Sequence, residues 1–306
     1  MSLTGRSHKI EFNDQFVKAL EAIEAGKNIF ITGKAGTGKS TLLRYFREKT
    51  PKNTVVLAST GVAAVNIRGQ TIHSFFRFRP DITVEKVKNK YKKLLNAHLY
   101  RKIETLVIDE ISMVRADLFD CVDAFLRMHG PKKNQSFGGV QLVMIGDLYQ
   151  LPPVVTGAER EIFVNHYPSP YFFDAKVFSG FEIEIIELEK IYRQKDEAFV
   201  RILNGIRNRS IDEAMFTQLN TRVQPDFEPP PKDPYIHLVT TNAKAEEINI
   251  RELNKLSGKK YKFTGELSGE FDQKTLPAPQ VLELKVESQV MLTNNDREHR
   301  WVNGTV

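Results

Sequence analysis

Gly33-Lys34-Ala35-Gly36-Thr37-Gly38-Lys39-Ser40 decides how the rest of this sequence is read. A glycine, four residues and then Gly-Lys-Ser is the spacing of a phosphate-binding loop. A chain of 306 residues matches it by chance about one time in a hundred. The flanks sharpen the reading. Asn28 to Thr32 is an apolar strand-like run, and Lys39 to Glu48 reads as a helix. Glycines let the backbone wrap closely around phosphate oxygens. The free N–H groups and positive dipole end at a helix start then attract the anion. Lys39 is expected to reach the β- and γ-phosphates of ATP and Ser40 to hold Mg²⁺. Gly33, Ala35, Gly36, Thr37, Gly38 and Thr41 complete the expected cradle.

Outward from the loop, short apolar β-branched runs alternate with helical segments. Val55 to Ala58, Thr105 to Asp109 and Gln141 to Ile145 read as strands, and Glu182 to Leu188 as a strand-like stretch. These runs lack in–out polarity alternation, as expected of parallel strands buried on both faces. The fold class is therefore α/β, a P-loop NTPase with helices on both faces of a parallel sheet. A second α/β unit is expected after Leu188, with a helix at Asp196 to Arg207. Beyond a proline cluster from Pro225 to Pro234 come a strand at Tyr235 to Thr240 and a helix at Ala243 to Leu256. Lys86, Lys88, Lys90, Lys92 and Lys93 crowd one segment. Such a run is either a solvated helix face or a contact for a DNA backbone.

Two further stretches carry chemistry. Leu106-Val107-Ile108-Asp109-Glu110 is an apolar strand ending in two carboxylates, about 70 residues after the loop. Asp109 is expected to position Mg²⁺ through its waters. Glu110 is expected to orient and deprotonate the attacking water. The spacing suits ATPases that place an extra strand between the two motifs. Gly146-Asp147-Leu148-Tyr149-Gln150-Leu151-Pro152-Pro153 follows another strand. Gln150 is either a reader of the γ-phosphate or part of a proline-stiffened turn.

Composition bounds the rest. The hydrophobic fraction is 41% and the formal net charge +6, compatible with a nucleic-acid partner. No run approaches the roughly 18 apolar residues that span a bilayer, so no membrane role is expected. Lys9 and Glu11 interrupt any signal-peptide core. Cys121 is the single cysteine, which excludes a disulfide framework and a cysteine zinc site and suits a reducing, intracellular setting.

The ordered set of motifs resembles superfamily 1 DNA helicases, in detail the petite-integration-frequency (Pif) family, relatives of the RecD-type helicases. GKAGTGKST at 33–41, ASTGVAA at 58–64, QTIHSFF at 70–76 and IDEISM at 108–113 carry the likeness. So do FGGVQLVMIGDLYQLPPV at 137–154, IYRQ at 191–194 and WVNGTV at 301–306. The resemblance implies a first RecA-like lobe over 1–188, with a wedge insertion about 77–100. A partial second RecA-like lobe over 189–306 follows. It implies an ATP-dependent helicase that moves 5′ to 3′ on single-stranded DNA and opens forked duplex, in repair, recombination or telomere maintenance. It also implies a monomer, in a bacterial cytoplasm or nucleoid, or in a nucleus or mitochondrion if eukaryotic.

Residue by residue, the likeness makes Gln15 an adenine reader and Arg193 a γ-phosphate arginine; the plainer readings are an exposed helix start and a surface ion pair. Thr60 and Gly61 correspond to a segment that meets the DNA backbone, as do Thr241 and Asn242. His73, Ser74 and Phe75 correspond to the next DNA-facing segment, although Phe75 and Phe76 suit a core equally well and His73 an interior. The family's later His-Lys-Ser-Gln-Gly-like and Ala-Leu-Ser-Arg-like stretches do not occur here. An incomplete second lobe is therefore expected, with nucleotide binding but slow hydrolysis. The alternatives are a nucleotide-gated DNA-binding module or a P-loop ATPase that does not translocate.

Overall fold

The computed structural model describes residues 12–306, apart from 95, 156, 193–195, 231–234, 267–278, 293–295, 297–299 and 302–304. The described residues form two compact units that divide between Phe216 and Thr217.

The first unit is built on six strands: β1 (Ile29–Gly33), β2 (Thr54–Ala58), β3 (Gln70–Thr71), β4 (Thr105–Asp109), β5 (Gln141–Ile145) and β6 (Glu184–Leu188). All pairings are parallel, in the order β3-β2-β4-β5-β1-β6. β5 thus lies between the loop strand β1 and the acid-bearing strand β4, the extra strand that the motif spacing calls for. Helices α1 (Asp14–Glu24), α2 (Lys39–Lys49), α3 (Gly61–Asn66), α4 (Ile72–Phe76), α5 (Val84–Lys90), α6 (Ala97–Tyr100), α7 (Ala116–His129), α8 (Gly157–His166) and α9 (Glu197–Arg207) connect them. α10 (Glu213–Asn220) straddles the division.

Alternate strand residues feed two cores, one on each face. Ile29, Ile31, Val107, Val143 and Ile145 pack with Phe16 and Ile23 of α1 and Leu42 and Phe46 of α2. Phe30, Leu106, Ile108, Leu142 and Met144 pack with Phe119 and Phe125 of α7. Each such side chain contributes about 1.5–3 kcal/mol on burial, so the sheet is fixed from both sides. α1 starts where Asn13 Oδ1 accepts the Phe16 N–H at 2.8 Å, a side-chain cap.

Between β3 and β4, the segment holding α5 and α6 is joined to α7 by rings. Phe76, Phe78, Tyr91 and Tyr100 all contact Phe125 with centroids 4.8–5.9 Å apart. α5 ends at Lys90 because the Tyr91 carbonyl, which a longer helix would use, meets His129 Nε2 at 2.7 Å. Lys88, Lys90, Lys92 and Lys93 are exposed, while Lys86 pairs with Asp81.

The second unit contains α11 (Asn242–Lys255) and an antiparallel pair, β7 (Tyr261–Thr264) with β8 (Val281–Leu284). The strand expected at Tyr235 to Thr240 does not form; residues 235–240 are irregular, with Leu238 93% exposed. Among the described residues no neighbouring strand completes its hydrogen bonds, and an apolar run without that ladder has no reason to stay extended. Among the described residues, no helix is long and apolar enough to cross a membrane.

Candidate nucleotide site

β1 ends at Gly33 and α2 begins at Lys39, so the glycine loop spans a strand end and a helix start. A Cβ on Gly33 would collide with the Leu188 carbonyl oxygen of β6 and crowd Thr37 Oγ1 at 2.9 Å; only glycine lets the loop leave the sheet here. Gly38, at φ 95°, caps α2 in the left-handed region without a side-chain cap. The first-turn N–H groups are therefore not consumed by a capping side chain, which is the requirement of an anion site. Thr37 is buried and its hydroxyl donates to Lys34 O at 2.9 Å. Tyr192 N–H donates to Gly36 O at 2.8 Å, tying the loop to the segment after β6. Ala35 and Ser40 are exposed and Thr41 is half-buried.

Lys39 Nζ donates to the carbonyls of Gly33 (2.6 Å) and Lys34 (3.0 Å). Burial holds its pKa below the usual lysine range, with Arg207 pushing the same way and Asp147, Glu110 and Asp109 opposing. Among the described residues, these four groups act on its charge. Asp109 ends β4 opposite Ala58 of β2. Burial pushes its carboxyl up to about 6, helped by the charge of Glu110 and opposed by the Glu110 N–H bond and by Lys39. Glu110 has a left-handed backbone (φ 52°) and its N–H donates to Asp109 Oδ1 at 3.0 Å. A non-glycine residue held there stores about 1–3 kcal/mol, which the packed Ile111 and Ser112 beyond it sustain. The buried hydroxyls of Ser59 and Ser112, which follow β2 and β4, have no hydrogen-bond partner among the described residues.

The turn after β5 centres on Asp147, 2% exposed. Its Oδ1 accepts the Tyr149 N–H at 3.1 Å, its Oδ2 the Gln150 side chain at 3.3 Å, and its carbonyl the Gln150 N–H at 2.9 Å. Arg207, at the end of α9, forms an ion pair with Asp147 and lies 4.2 Å over the Tyr149 ring. Gln150 itself is exposed.

At the far side of β1, Gln15 on α1 pairs with Glu189 twice. It donates to Oε2 at 2.9 Å and accepts the Glu189 N–H at 3.1 Å. These residues line a cavity of about 410 Å³ with Asn13, Asp14 and Lys190. Arg193 lies outside the described residues.

Most of the residues expected at DNA follow the C-terminal ends of β2 and β3, the two strands beyond β4. Thr60 Oγ1 accepts the Ala63 N–H at 3.3 Å beside Gly61, the first residue of α3 after β2. Thr71 caps α4, which carries His73, Ser74 and Phe75 after β3. Ser74 is exposed. Burial, with Arg115 nearby, holds the His73 pKa below its ordinary value. Phe75 is half-buried against Phe76 and Tyr100, whereas Phe76 lies in the core. Thr241 and Asn242 are exposed at the start of α11 in the second unit, where Thr241 caps the helix.

So Lys39, Asp109 and Glu110 come together, with Gln150 joined to them through Asp147. Asp147, Arg207 and Glu189 escaped the sequence reading. Asp147 stood inside a quoted motif, but nothing in the sequence pairs it with an arginine 60 residues away.

Residues 11–214 match the model of the PIF1-like helicase family. The ATP-dependent DNA helicase Pif1 of Bdellovibrio bacteriovorus is 34% identical over 310 residues, covering 97% of this chain and 67% of the relative. A solved structure of two coordinating Pif1 helicases, described as the basis for unwinding at forked double-stranded DNA, superposes with a TM-score of 0.82 at 36% identity. It covers 96% of this chain and 70% of that one. Bacteroides Pif1 in complex with ADP-AlF3 and single-stranded DNA superposes at 0.81 and 35%, covering 97% and 69%. The chain thus spans about two thirds of the length of these relatives. On that match and these identities, the chain belongs to the PIF1-like helicase family.

Proposed function

We propose that this chain is the nucleotide-binding part of an ATP-dependent DNA helicase, which uses ATP hydrolysis to advance on single-stranded DNA and open forked duplex. The observation that carries the reading is the uncapped start of α2 at the C-terminal edge of a parallel sheet, where the charges of Asp109 and Glu110 act on Lys39. Ligands bind at that edge in α/β folds.

In this reading the loop N–H groups and the Lys39 ammonium hold the β- and γ-phosphates, and Gln15 takes the adenine edge in exchange for Glu189. Glu110 accepts the proton of the attacking water, and Gln150 reports the γ-phosphate. Arg193 is assigned to that phosphate by family likeness alone. A magnesium ion fits the donor set. Asp109 is a buried carboxylate whose charge burial opposes, and a nearby cation would favour its ionised form. Ser40 offers a hydroxyl, and phosphates and water supply the remaining oxygens. Among the described residues no three His, Cys, Asp or Glu side chains cluster to hold a metal by themselves. When bound, the ion neutralises charge on the transferred phosphoryl group. Thr60, Gly61, His73, Ser74 and Phe75 on the first unit are assigned to the strand backbone and a base, and Thr241 and Asn242 on the second unit are assigned separately to backbone, by family likeness. The 5′-to-3′ direction rests on family likeness; the expected monomer has no such support, since one relative is described as two coordinating Pif1 helicases.

ATP turnover with and without single-stranded DNA, together with fork unwinding, tests the reading. DNA-stimulated turnover that Glu110→Gln abolishes is the expected result. Turnover indifferent to DNA would favour a non-translocating ATPase. DNA binding that responds to nucleotide without turnover would favour the gated module.

A further inference from the structure

We infer that Arg207 is a positioning residue of the nucleotide site: by neutralising Asp147 and stacking on Tyr149, it reserves Lys39 for the terminal phosphate and presets Gln150. The inference rests on the proposal that the loop Gly33–Ser40 binds a nucleoside triphosphate.

Asp147 is the hub of its turn. One carboxylate, almost wholly buried, organises the Tyr149 N–H, the Gln150 amide and the Arg207 guanidinium. A buried carboxylate must be paired, because a charge left alone in the interior is strongly disfavoured. Arg207 holds it directly, and Lys39 feels Asp147 more strongly than it feels Glu110 or Asp109. Without Arg207, the Asp147 charge would act on Lys39 uncompensated. The ammonium would then be drawn off the Gly33 and Lys34 carbonyls and away from the place where a γ-phosphate needs it.

Arginine suits this task better than lysine. Its planar guanidinium donates to a carboxylate while its face lies on an aromatic ring, the arrangement seen over Tyr149. Arg207 is also well anchored. It ends α9, where the helix dipole favours a cation, and Ile202 and Gly205 of the same helix are buried. A side chain at Gly205 would press on Met215 Sδ at 2.9 Å, so this part of the helix packs closely. The side chain of Arg207 is only 12% exposed, which sets the pair apart from the solvent-screened ion pairs elsewhere on the chain.

The test measures ATP and ADP affinity separately, in magnesium, by calorimetry on the full chain, alongside Tm. Arg207→Gln is expected to weaken ATP roughly tenfold, the scale of one hydrogen bond to a charged group, while ADP stays within about twofold. Adding Asp147→Asn removes the stranded carboxylate and is expected to restore ATP binding to within about threefold of the parent. Arg207→Lys, which keeps the charge and loses the stack, should fall between. Unchanged ATP binding in a folded Arg207→Gln chain would overturn the inference, as would a double variant weaker than Arg207→Gln alone. Should Arg207→Gln not fold, Arg207→Lys and Tyr149→Leu are read instead, and wild-type ATP binding in both overturns it. Lys39→Ala separates the two ideas. If it leaves ATP binding intact, the nucleotide reading itself fails; if it abolishes binding while Arg207→Gln does not, only the role of Arg207 fails.

Discussion

The two ends of the parallel sheet in the first unit are built on opposite terms. At the N-terminal ends of the strands, polar groups satisfy one another. Gln141 opens β5 and is 8% exposed. Its amide donates to the carbonyls of Ile23 and Lys27, both at 2.8 Å, and accepts from Lys52 Nζ (3.1 Å) and Thr105 Oγ1 (3.0 Å). All four of its hydrogen-bonding places are filled. At the C-terminal ends, charges crowd together and several groups stay available: a left-handed Glu110, a buried Asp109, and the hydroxyls of Ser59 and Ser112. The larger cavity, about 480 Å³, lies at the satisfied end; the one beside Gln15, about 410 Å³, lies at the other. Cavity size therefore does not find the chemistry here. The balance between satisfied and unsatisfied polar groups does.

That contrast predicts which substitutions change function and which change stability. The largest effect is expected from Lys39→Ala, which removes the ammonium held at the Gly33 and Lys34 carbonyls. ATP affinity should fall at least about a hundredfold, a loss on the scale of a charged hydrogen bond, with Tm little changed. A Tm drop of many degrees with affinity intact would reverse the assignment of the two ends. Gln141→Leu should do the opposite. It strands the buried Thr105 hydroxyl and takes one donor each from the Ile23 and Lys27 carbonyls, while Lys52 keeps the Ile23 carbonyl at 2.8 Å; the cost is about 2 kcal/mol in denaturant unfolding, and ATP affinity stays within about twofold.

Asp109→Asn sharpens the comparison, because a group shaped for function should lie at a stability cost. The folded pKa of Asp109, about 6, is raised from 3.8. Folding therefore favours its protonated form, so its contribution is fully present below about pH 4 and lost as pH rises through 6. In metal-free buffer, Asp109→Asn should stabilise the chain by about 2 kcal/mol at pH 7 and by nothing near pH 4. A variant equally stabilised, or destabilised, at both pH values would contradict this. The smallest effect is expected at Gln15. Gln15→Ala should weaken ATP about fivefold, near one neutral hydrogen bond, and leave CTP unchanged; equal losses for both nucleotides would deny it a base-reading role.

What could be read in advance follows the same division. β4 and β5 run Thr105–Asp109 and Gln141–Ile145, as their apolar β-branched runs indicated, because burial on both faces leaves a one-line signature. The loop was legible because its chemistry is local. β3 has only two residues, Gln70–Thr71, too few for any periodicity. The irregular path at 235–240 shows the converse, an apolar run that lacks a neighbour. Long-range pairs were invisible. Gln15 and Glu189 are 174 positions apart, and Asp147, in the turn after β5, meets Arg207 60 positions on at the end of α9, so neither partner is written into the other's surroundings.

The ring cluster on Phe125 has a mechanical consequence. α7 has 14 residues and is therefore about 21 Å long. One end holds the lysine-bearing segment through Tyr91, and the other starts at Ala116, just past the turn that carries Glu110. A rod gripped at both ends cannot let one end drift alone, so a load on those lysines is felt at Glu110. Amide exchange at Tyr91 and Val114 should accordingly slow or quicken together when duplex DNA is added; independent rates would show the rod to be slack.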